Sequence, residues 1–198
     1  MSTSIDRDDS KRLMVFAGRS SQQLGLRIAN RLGIELGDVT TKTFANGEIY
    51  VRFEESVRGA DVFLVQSTTR PVNDSLMELL IMINAAKLAS AHRITAVIPW
   101  YGYSRQDKKS APREPITAKL LADLLQAAGV DRVLTMDLHA GQVQGFFRVP
   151  VDHMTALPMF VDHFLQRVYD GELTERLVVV SPDAGRAKLA NHFAERLG

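Results

Sequence analysis

Short apolar runs that alternate with helical patterns are the feature that most constrains this fold. Four runs rich in branched and aromatic residues predict buried strands, at Leu13–Ala17, Asp61–Gln66, Ile94–Ile98 and Val133–Met136. Segments with apolar residues at helical spacing follow the first three runs. Repeated strand–helix units of this kind are typical of the α/β class. We therefore expect a mostly parallel, doubly wound sheet.

The expected ends of the helices come from capping residues. Ser21 is placed to cap the first helix, which Gly33 should end. Asn73–Ser75 offers caps for the second helix. Pro115 suits the first turn of the third helix, and Gly129 should end it. The helices therefore occupy the intervals between the predicted strands.

A hairpin is predicted where Asn46-Gly47 separates two extended segments. Alternating apolar residues follow this pair from Ile49 to Phe53, and Asn-Gly tolerates the backbone angles of a tight turn. The pattern alone is structural and says nothing of a ligand. A projecting tip that carries Phe44 and Glu48 would nevertheless reach a base or a ribose.

The run Val133–Phe147 joins a buried strand to a glycine-containing polar stretch. In an extended strand Asp137 and His139 share one face while Leu138 packs behind them. Ligands of open α/β sheets bind at the carboxyl ends of strands, which favours a functional role. The alternative is an ordinary strand end, where the aspartate caps a turn and the histidine is a surface residue. The spacing leaves both interpretations open.

The segment Trp100–Lys109 combines three aromatic residues with four charges, which does not suit a core element. One interpretation is an exposed basic loop whose aromatic residues anchor its base. The other is a nucleotide-binding surface in which Arg105 forms paired hydrogen bonds with phosphate. Loops at strand ends often carry function, so we favour the second interpretation.

The composition change at Pro150–Pro158 predicts a domain boundary. We expect a tail at residues 1–11, an N-terminal domain at 12–156 and an incomplete second domain at 157–198. The second domain should contain helices at Phe160–Val168 and Arg186–Leu197, and between them a strand at Leu177–Val180. These elements are too few to close a sheet, so we expect the chain to be a fragment.

Composition narrows the possible partners. The chain has 198 residues, of which 45% are hydrophobic and 24% are charged, and a formal net charge of +1. This balance gives no reason to expect nucleic acid as a partner. Without cysteine there is no disulfide or thiolate chemistry. No apolar run has the length of a membrane span or of a secretion signal, so we expect a cytoplasmic protein.

Several motifs together resemble those of ribose-phosphate pyrophosphokinases, also called phosphoribosyl diphosphate synthetases. The resemblance covers Leu13–Gly198, and five blocks in the same order make it specific. The blocks are F-A-N-G-E at 44–48, P-V-N-D-S-L-M-E-L-L at 71–80, Y-G-Y-S-R-Q-D at 101–107, P-R-E-P-I-T-A-K at 112–119 and M-D-L-H-A-G-Q-V-Q-G-F-F at 136–147. The sequence S-P-D-A-G at 181–185 agrees with them.

This resemblance implies type I phosphoribosyltransferase-like domains that bind ATP, ribose 5-phosphate and Mg²⁺. It also implies a homohexamer, with phosphate or ADP as possible effectors. The hairpin would reach the adenine across a subunit interface, and the loop after the third strand would contact ATP. Two carboxylates and a histidine would lie near the metal. The implied nucleotide contacts are Phe44, Asn46, Gly47, Glu48, Arg105, Gln106 and Asp107, and the metal set is Asp137, His139 and Asp183.

Two departures from the family limit these expectations. Arg148 stands where some members have an aspartate of an acidic metal and regulatory set, of which Asp137 and Asp152 remain. The family's catalytic basic loop and its T-G-G-T phosphoribosyl diphosphate loop are expected beyond Gly198. We therefore expect no catalytic residue within this chain and no activity from it alone. The alternative is a non-catalytic, nucleotide-binding regulatory relative.

Overall fold

The structure consists of two units, and the first ends at Met154. Parallel pairing joins five strands of this first unit into one sheet. The computed structural model describes residues 12–174 and 176–198, so the tail expected at 1–11 lies outside the described residues. The sheet order is β1-β4-β5-β6-β7, and β2 and β3 form a separate antiparallel hairpin. The strands are β1 (Leu13–Ala17), β2 (Val39–Thr43), β3 (Ile49–Phe53), β4 (Asp61–Val65), β5 (Arg93–Ile98), β6 (Arg132–Met136) and β7 (Val151–Met154).

Helices cover both faces of this sheet. Leu24 and Ile28 of the first helix pack on one face, against Val15 and Val65. The second and third helices pack on the opposite face, where the core includes Phe16, Leu64, Leu79, Ile98 and Leu125. The doubly wound α/β prediction is confirmed. The helices of the described residues are α1 (Gln22–Leu32), α2 (Val72–Leu88), α3 (Thr117–Ala128), α4 (Leu157–Tyr169) and α5 (Ala187–Leu197).

The predicted carboxyl ends of two helices are confirmed. Gly33 and Gly129 follow α1 and α3 with φ angles of 70° and 111°, which belong to the left-handed region that glycine adopts easily. Each glycine N–H donates to carbonyl groups of the last helical turn. The glycines therefore end the helices for the conformational reason expected from the sequence.

The predicted helix starts are wrong in detail. The hydroxyl of Ser21 accepts a hydrogen bond from the Ser67 N–H at 2.8 Å instead of capping α1. The second helix begins at Val72, because the Ser75 N–H already donates to the Pro71 carbonyl within its first turn. The third helix begins only at Thr117, so Pro115 lies before it.

A fifth sheet strand, β7, was missed in the segment interpreted as a domain boundary. It pairs in parallel with β6 along its whole length, from Val133↔Val151 to Met136↔Met154. Four residues that begin directly after Pro150 form too short a pattern to predict alone. The structure separates into two units between Met154 and Thr155. The expected bounds of the two phosphoribosyltransferase-like domains, 12–156 and 157–198, stay a prediction.

The second unit, Thr155–Gly198, contains α4 and α5 and a 3₁₀ turn at Ala184–Arg186. The strand predicted at Leu177–Val180 is wrong, because no strand among the described residues pairs with this segment. Its side chains at Val178 and Val180 are 84% and 79% exposed. A segment without a neighbouring strand cannot form the hydrogen bonds of a sheet. No helix of the described residues has the length and apolar character to cross a membrane.

We expect Gly25→Val to destabilise the first unit. A Cβ at Gly25 would lie 2.5 Å from the Cβ of Ala17, where α1 crosses β1. Overpacking of a tight contact costs about 1–3 kcal/mol in the free energy of unfolding. The measurement is urea unfolding, with Arg27→Val as the control at an exposed position of the same helix. Equal stability of the two variants would contradict the proposed close contact.

Candidate functional site

The loops that follow β1, β4, β5 and β6 lie at the same edge of the sheet, because all of these strands are parallel. This is the edge at which open α/β sheets bind ligands. Three of the loops contain the polar residues described below, at Arg19–Ser21, Gln66–Pro71 and Trp100–Asp107. The fourth begins at Asp137 and enters a 3₁₀ turn at Gly141–Phe146.

A buried glutamine joins the loops after β1 and β4. The side-chain oxygen of Gln66 accepts a hydrogen bond from the Ser20 hydroxyl at 2.7 Å, and its amide nitrogen donates to the Ser75 carbonyl at 3.3 Å. Gly18 lies against this side chain, because an added Cβ would be 2.4 Å from the Gln66 oxygen. A larger residue at position 18 would therefore displace the Gln66 side chain from these hydrogen bonds.

An ion pair connects the first loop to the hairpin. Glu78 of α2 is 1% exposed and accepts hydrogen bonds from the backbone N–H and the Nε of Arg19, at 2.7 and 2.6 Å. The same guanidinium donates to the hydroxyl of Thr43 at the end of β2, at 2.8 Å. Sequence reasoning missed this pair. The available signal was a carboxylate inside the apolar pattern of α2, at L-M-E-L-L.

The predicted hairpin is confirmed, with a tip at Phe44–Glu48. The Phe44 N–H donates to the Glu48 carbonyl, and the Asn46 side chain accepts from the Glu48 N–H at 3.1 Å. Gly47 has a φ of 90°, which a glycine adopts without strain. The ring of Phe44 is 52% exposed and contacts Tyr50 edge to face. The tip therefore presents an aromatic ring and a carboxylate to the surroundings.

Two neighbouring cavities lie beside the amino end of α2. A cavity of about 310 Å³ is lined by Arg19, Thr43, Gly47, Arg70 and Glu78, among others. A second cavity, of about 530 Å³, is lined by the loop after β5. The two share Pro71 and Asp74 as lining residues. Phe44, Asn46 and Glu48 line neither cavity.

The loop after β5 supplies Arg105 and Gln106 to the larger cavity, together with Trp100, Tyr101 and Tyr103. The Arg105 side chain is exposed and makes no hydrogen bond with the described residues. Its guanidinium is thus available to an anion. The Gln106 oxygen accepts from the Thr117 hydroxyl at 2.5 Å, which ties this loop to the start of α3.

Tyr101 anchors the base of the same loop. Its hydroxyl donates to the Ala118 carbonyl at 3.1 Å, and its ring contacts Phe147 edge to face. Burial raises the pKa of this hydroxyl above its ordinary value, and the nearby Asp123 carboxylate adds a smaller effect in the same direction. Tyr101 therefore remains a neutral donor and has a structural role.

The carboxylate of Asp107 belongs to a contact between two loops. Asp107 is 7% exposed, and its Oδ2 accepts a hydrogen bond from the Nε2 of Gln142 at 2.7 Å. Gln142 lies in the 3₁₀ turn three residues after His139. The loop that carries Arg105 and Gln106 is thereby joined to the loop that carries His139.

Asp137 and His139 follow β6, but not as part of the strand. The strand ends at Met136, and Asp137 has a φ of 46°, so the predicted strand geometry for this pair is wrong. Both side chains are nevertheless exposed, while Leu138 is buried. The Leu138 N–H donates to the Nε2 of His153 at 3.0 Å. Sequence reasoning missed His153, because the strand that carries it, β7, was not predicted.

The expected metal set is compatible with Mg²⁺ bound together with phosphate. Among the described residues, no three histidine or acidic side chains form a cluster that would hold a metal alone. Magnesium is commonly held by one or two carboxylates, by water and by substrate phosphates, so Asp137 beside the exposed His139 fits this mode. Asp183, in the second unit, is exposed and accepts from the Arg186 N–H at 3.0 Å. These assignments stay predictions.

Comparison with known proteins identifies the family. An open parallel sheet with polar loops at its carboxyl edge defines an α/β protein of the ligand-binding type. The family model described as the N-terminal domain of ribose phosphate pyrophosphokinase matches residues 13–129, and the chain belongs to this family. The matched region includes the hairpin, both cavities and the Arg105 loop.

Similar proteins extend the comparison over nearly the whole chain. A ribose-phosphate pyrophosphokinase of Corynebacterium efficiens is 54% identical over 97% of this chain and 58% of its own length. One of Caldanaerobacter subterraneus is 56% identical over 93% of this chain and 57% of its own length. The chain therefore spans less than two thirds of these relatives.

A solved structure shows the same fold. The phosphoribosylpyrophosphate synthetase of Mycobacterium smegmatis superposes with a TM-score of 0.89 at 51% identity. The match covers 95% of this chain and 62% of the smegmatis chain. Fold and sequence therefore indicate the same family.

We expect Arg19→Ala to destabilise the first unit, because it removes the side-chain donor of the buried Glu78 carboxylate. A buried acceptor that loses its partner costs about 1–3 kcal/mol in the free energy of unfolding. The measurement is urea unfolding, with Arg31→Ala, an exposed change on α1, as the control. The control should stay within about 0.5 kcal/mol of the wild type. A loss no larger than that of the control would refute a structural role for the ion pair.

Proposed function

We propose that the protein is a ribose-phosphate diphosphokinase, which transfers the diphosphoryl group of ATP to the C1 hydroxyl of ribose 5-phosphate. The products would be phosphoribosyl diphosphate and AMP. The observation that carries the proposal is the match of residues 13–129 to the family, a region that contains the Arg105 loop and both cavities. A hydrogen bond from Gln142 to Asp107 joins this loop to the His139 loop, which follows the matched region. The names of the similar proteins state the same activity.

The hairpin would serve the adenine of a neighbouring subunit in a homohexamer. Phe44 is half exposed, and it lines neither cavity of its own subunit. An exposed aromatic ring gains by stacking on a base, and Asn46 and Glu48 offer hydrogen-bonding groups beside it. Gly47 allows the turn that presents these three side chains. This arrangement supports a nucleotide contact made outside the subunit that supplies it.

The phosphate chain would bind beside the loop after β5. Arg105 has an exposed guanidinium that is free of bonds to the described residues, and Gln106 lines the same cavity of about 530 Å³. A guanidinium matches the geometry of phosphate oxygens with two parallel hydrogen bonds. Arg105 would thus orient the phosphates and offset the charge that develops during transfer.

Mg²⁺ would be held by the Asp137 carboxylate and by phosphate oxygens, with His139 acting through water or on phosphate. The residues after β6 suit this role, since both side chains are exposed where the strand ends. When bound, the ion neutralises charge on the phosphates that react. Asp183 is proposed as the metal carboxylate of the second unit.

The transfer depends more on positioning and charge than on covalent chemistry by the protein. The anomeric hydroxyl of ribose 5-phosphate would attack the β-phosphorus of ATP, and AMP would leave. We assign no catalytic residue within this chain, because its sequence contains no T-G-G-T segment and we match none of its segments to the family's basic loop. Phosphate or ADP as effectors and a cytoplasmic location complete the proposal.

The first test concerns the hairpin. We expect Glu48→Ala to weaken ATP binding without changing stability, because Glu48 is exposed and its side chain makes no hydrogen bond with the described residues. Calorimetric titration of the assembled protein with ATP and Mg²⁺ measures the effect. The control is Glu35→Ala, another exposed glutamate away from both cavities. Unchanged ATP affinity in an unchanged oligomer would exclude the assigned contact.

The second test concerns Arg105 and the reaction itself. Loss of one preorganised phosphate donor reduces a rate by about 10²–10³-fold, and we expect Arg105→Ala to lower AMP formation by this factor. The assay follows AMP release from ATP and ribose 5-phosphate by the protein in its natural length, with Arg31→Ala as the control.

Two outcomes of this assay would change the assignment. If Arg105→Ala lowers the rate of AMP formation threefold or less, the loop is better interpreted as an exposed basic surface. ATP binding by the wild type without any AMP release would favour the non-catalytic regulatory relative.

A further inference from the structure

The resemblance counts Asp107 among the nucleotide contacts, but its buried carboxylate is bonded elsewhere, and the proposed function gives it no defined role. The side chain points toward the His139 loop, because its Oδ2 accepts from the Gln142 Nε2 at 2.7 Å. With 7% exposure, the residue has little surface left for a ligand of the size of a nucleotide. Arg105, two residues earlier in the same loop, is in contrast exposed and lines the larger cavity.

Both ends of this hydrogen bond rest on rigid structure. The Gln106 carbonyl, next to Asp107, accepts from the Ala118 N–H at the start of α3. On the other side, Val143 follows Gln142 and is fully buried in the core. A hydrogen bond between two anchored segments restrains the position of one relative to the other, because separation would leave the buried Asp107 carboxylate without this partner. Arg105 and His139 lie close in sequence to the two ends of this bond.

We propose that Asp107 is a positioning residue, which fixes the His139 loop relative to Arg105 through its hydrogen bond to Gln142 and does not touch the nucleotide. The inference rests on the proposed function for its catalytic consequence, and on geometry alone for the coupling of the two loops. In this proposal the Asp107 carboxylate orients the side-chain amide of Gln142 and does not contact phosphate or magnesium.

Isosteric substitutions separate the two roles. In Asp107→Asn the side-chain oxygen still accepts from Gln142, so a positioning role survives while the charge is lost. In Gln142→Glu two carboxylates face each other and the bond is replaced by repulsion. In the double variant D107N/Q142E the amide and the carboxylate exchange places, and the amide at position 107 donates to the carboxylate at position 142. The hydrogen bond is thus restored with the donor and the acceptor exchanged.

The experiment measures kcat and KM for ATP in the protein of natural length, for the wild type, both single variants and the double variant. We expect Gln142→Glu to lower kcat at least tenfold, and both Asp107→Asn and the double variant to stay within about threefold of the wild type. A tenfold loss in Asp107→Asn that the double variant retains would make Asp107 a direct ligand. Failure of the double variant to recover from Gln142→Glu would equally overturn the proposal.

A second measurement tests the coupling without relying on activity. Hydrogen exchange of the backbone at residues 138–147 should accelerate in Gln142→Glu and return to the wild-type rate in the double variant. Unchanged exchange in Gln142→Glu would show that the bond does not hold the loop. If the wild-type protein releases no AMP, the proposed function fails while the exchange result still decides the loop coupling.

Discussion

Parallel pairing of β1, β4, β5, β6 and β7 is the constraint on which the rest of the structure depends. It brings the carboxyl ends of these strands to one edge, although the loops that follow them are far apart in sequence. It also requires helices on both faces, because a parallel sheet carries apolar residues on each side. The candidate site is therefore a consequence of the strand order, and each loop is placed by the strand that precedes it.

Buried polar groups refine what the sheet places approximately. Gln66, Glu78 and Asp107 are all buried, and each bonds to a loop at this edge. A buried polar group without a partner is costly, so each of these side chains penalises movement of the loop that supplies its donor. The core packing sets the positions of the elements, and these bonds set the positions of the loops relative to one another.

The parts of this molecule with a strong local signal were predictable from the sequence. The hairpin at Phe44–Glu48 and the helix ends at Gly33 and Gly129 follow from backbone preferences of single residues, which act wherever the chain goes. The four main strands were recognised because each is a short run of mainly apolar residues.

The remainder depends on contacts between distant residues, which local patterns do not contain. Ser21 stands where the sequence predicts a helix cap, yet its hydroxyl accepts a hydrogen bond from the Ser67 N–H instead. The ion pair Arg19–Glu78 joins residues 59 positions apart. Glu78 stands out as a carboxylate in the apolar pattern of α2, but no local pattern names Arg19 as its partner. The strand β7 exists because β6 offers it an edge, so its four residues gain their conformation from the partner and not from their own pattern.

The exposed segment Leu177–Val180 has a practical consequence for work with this chain. It presents a short, uncharged, β-branched stretch whose valines at 178 and 180 are largely exposed and whose backbone has no neighbouring strand among the described residues. Exposed apolar residues of this kind favour association between molecules. In concentrated preparations this segment would therefore favour association of the chain, and a Lys substitution here would reduce that association without changing the candidate site.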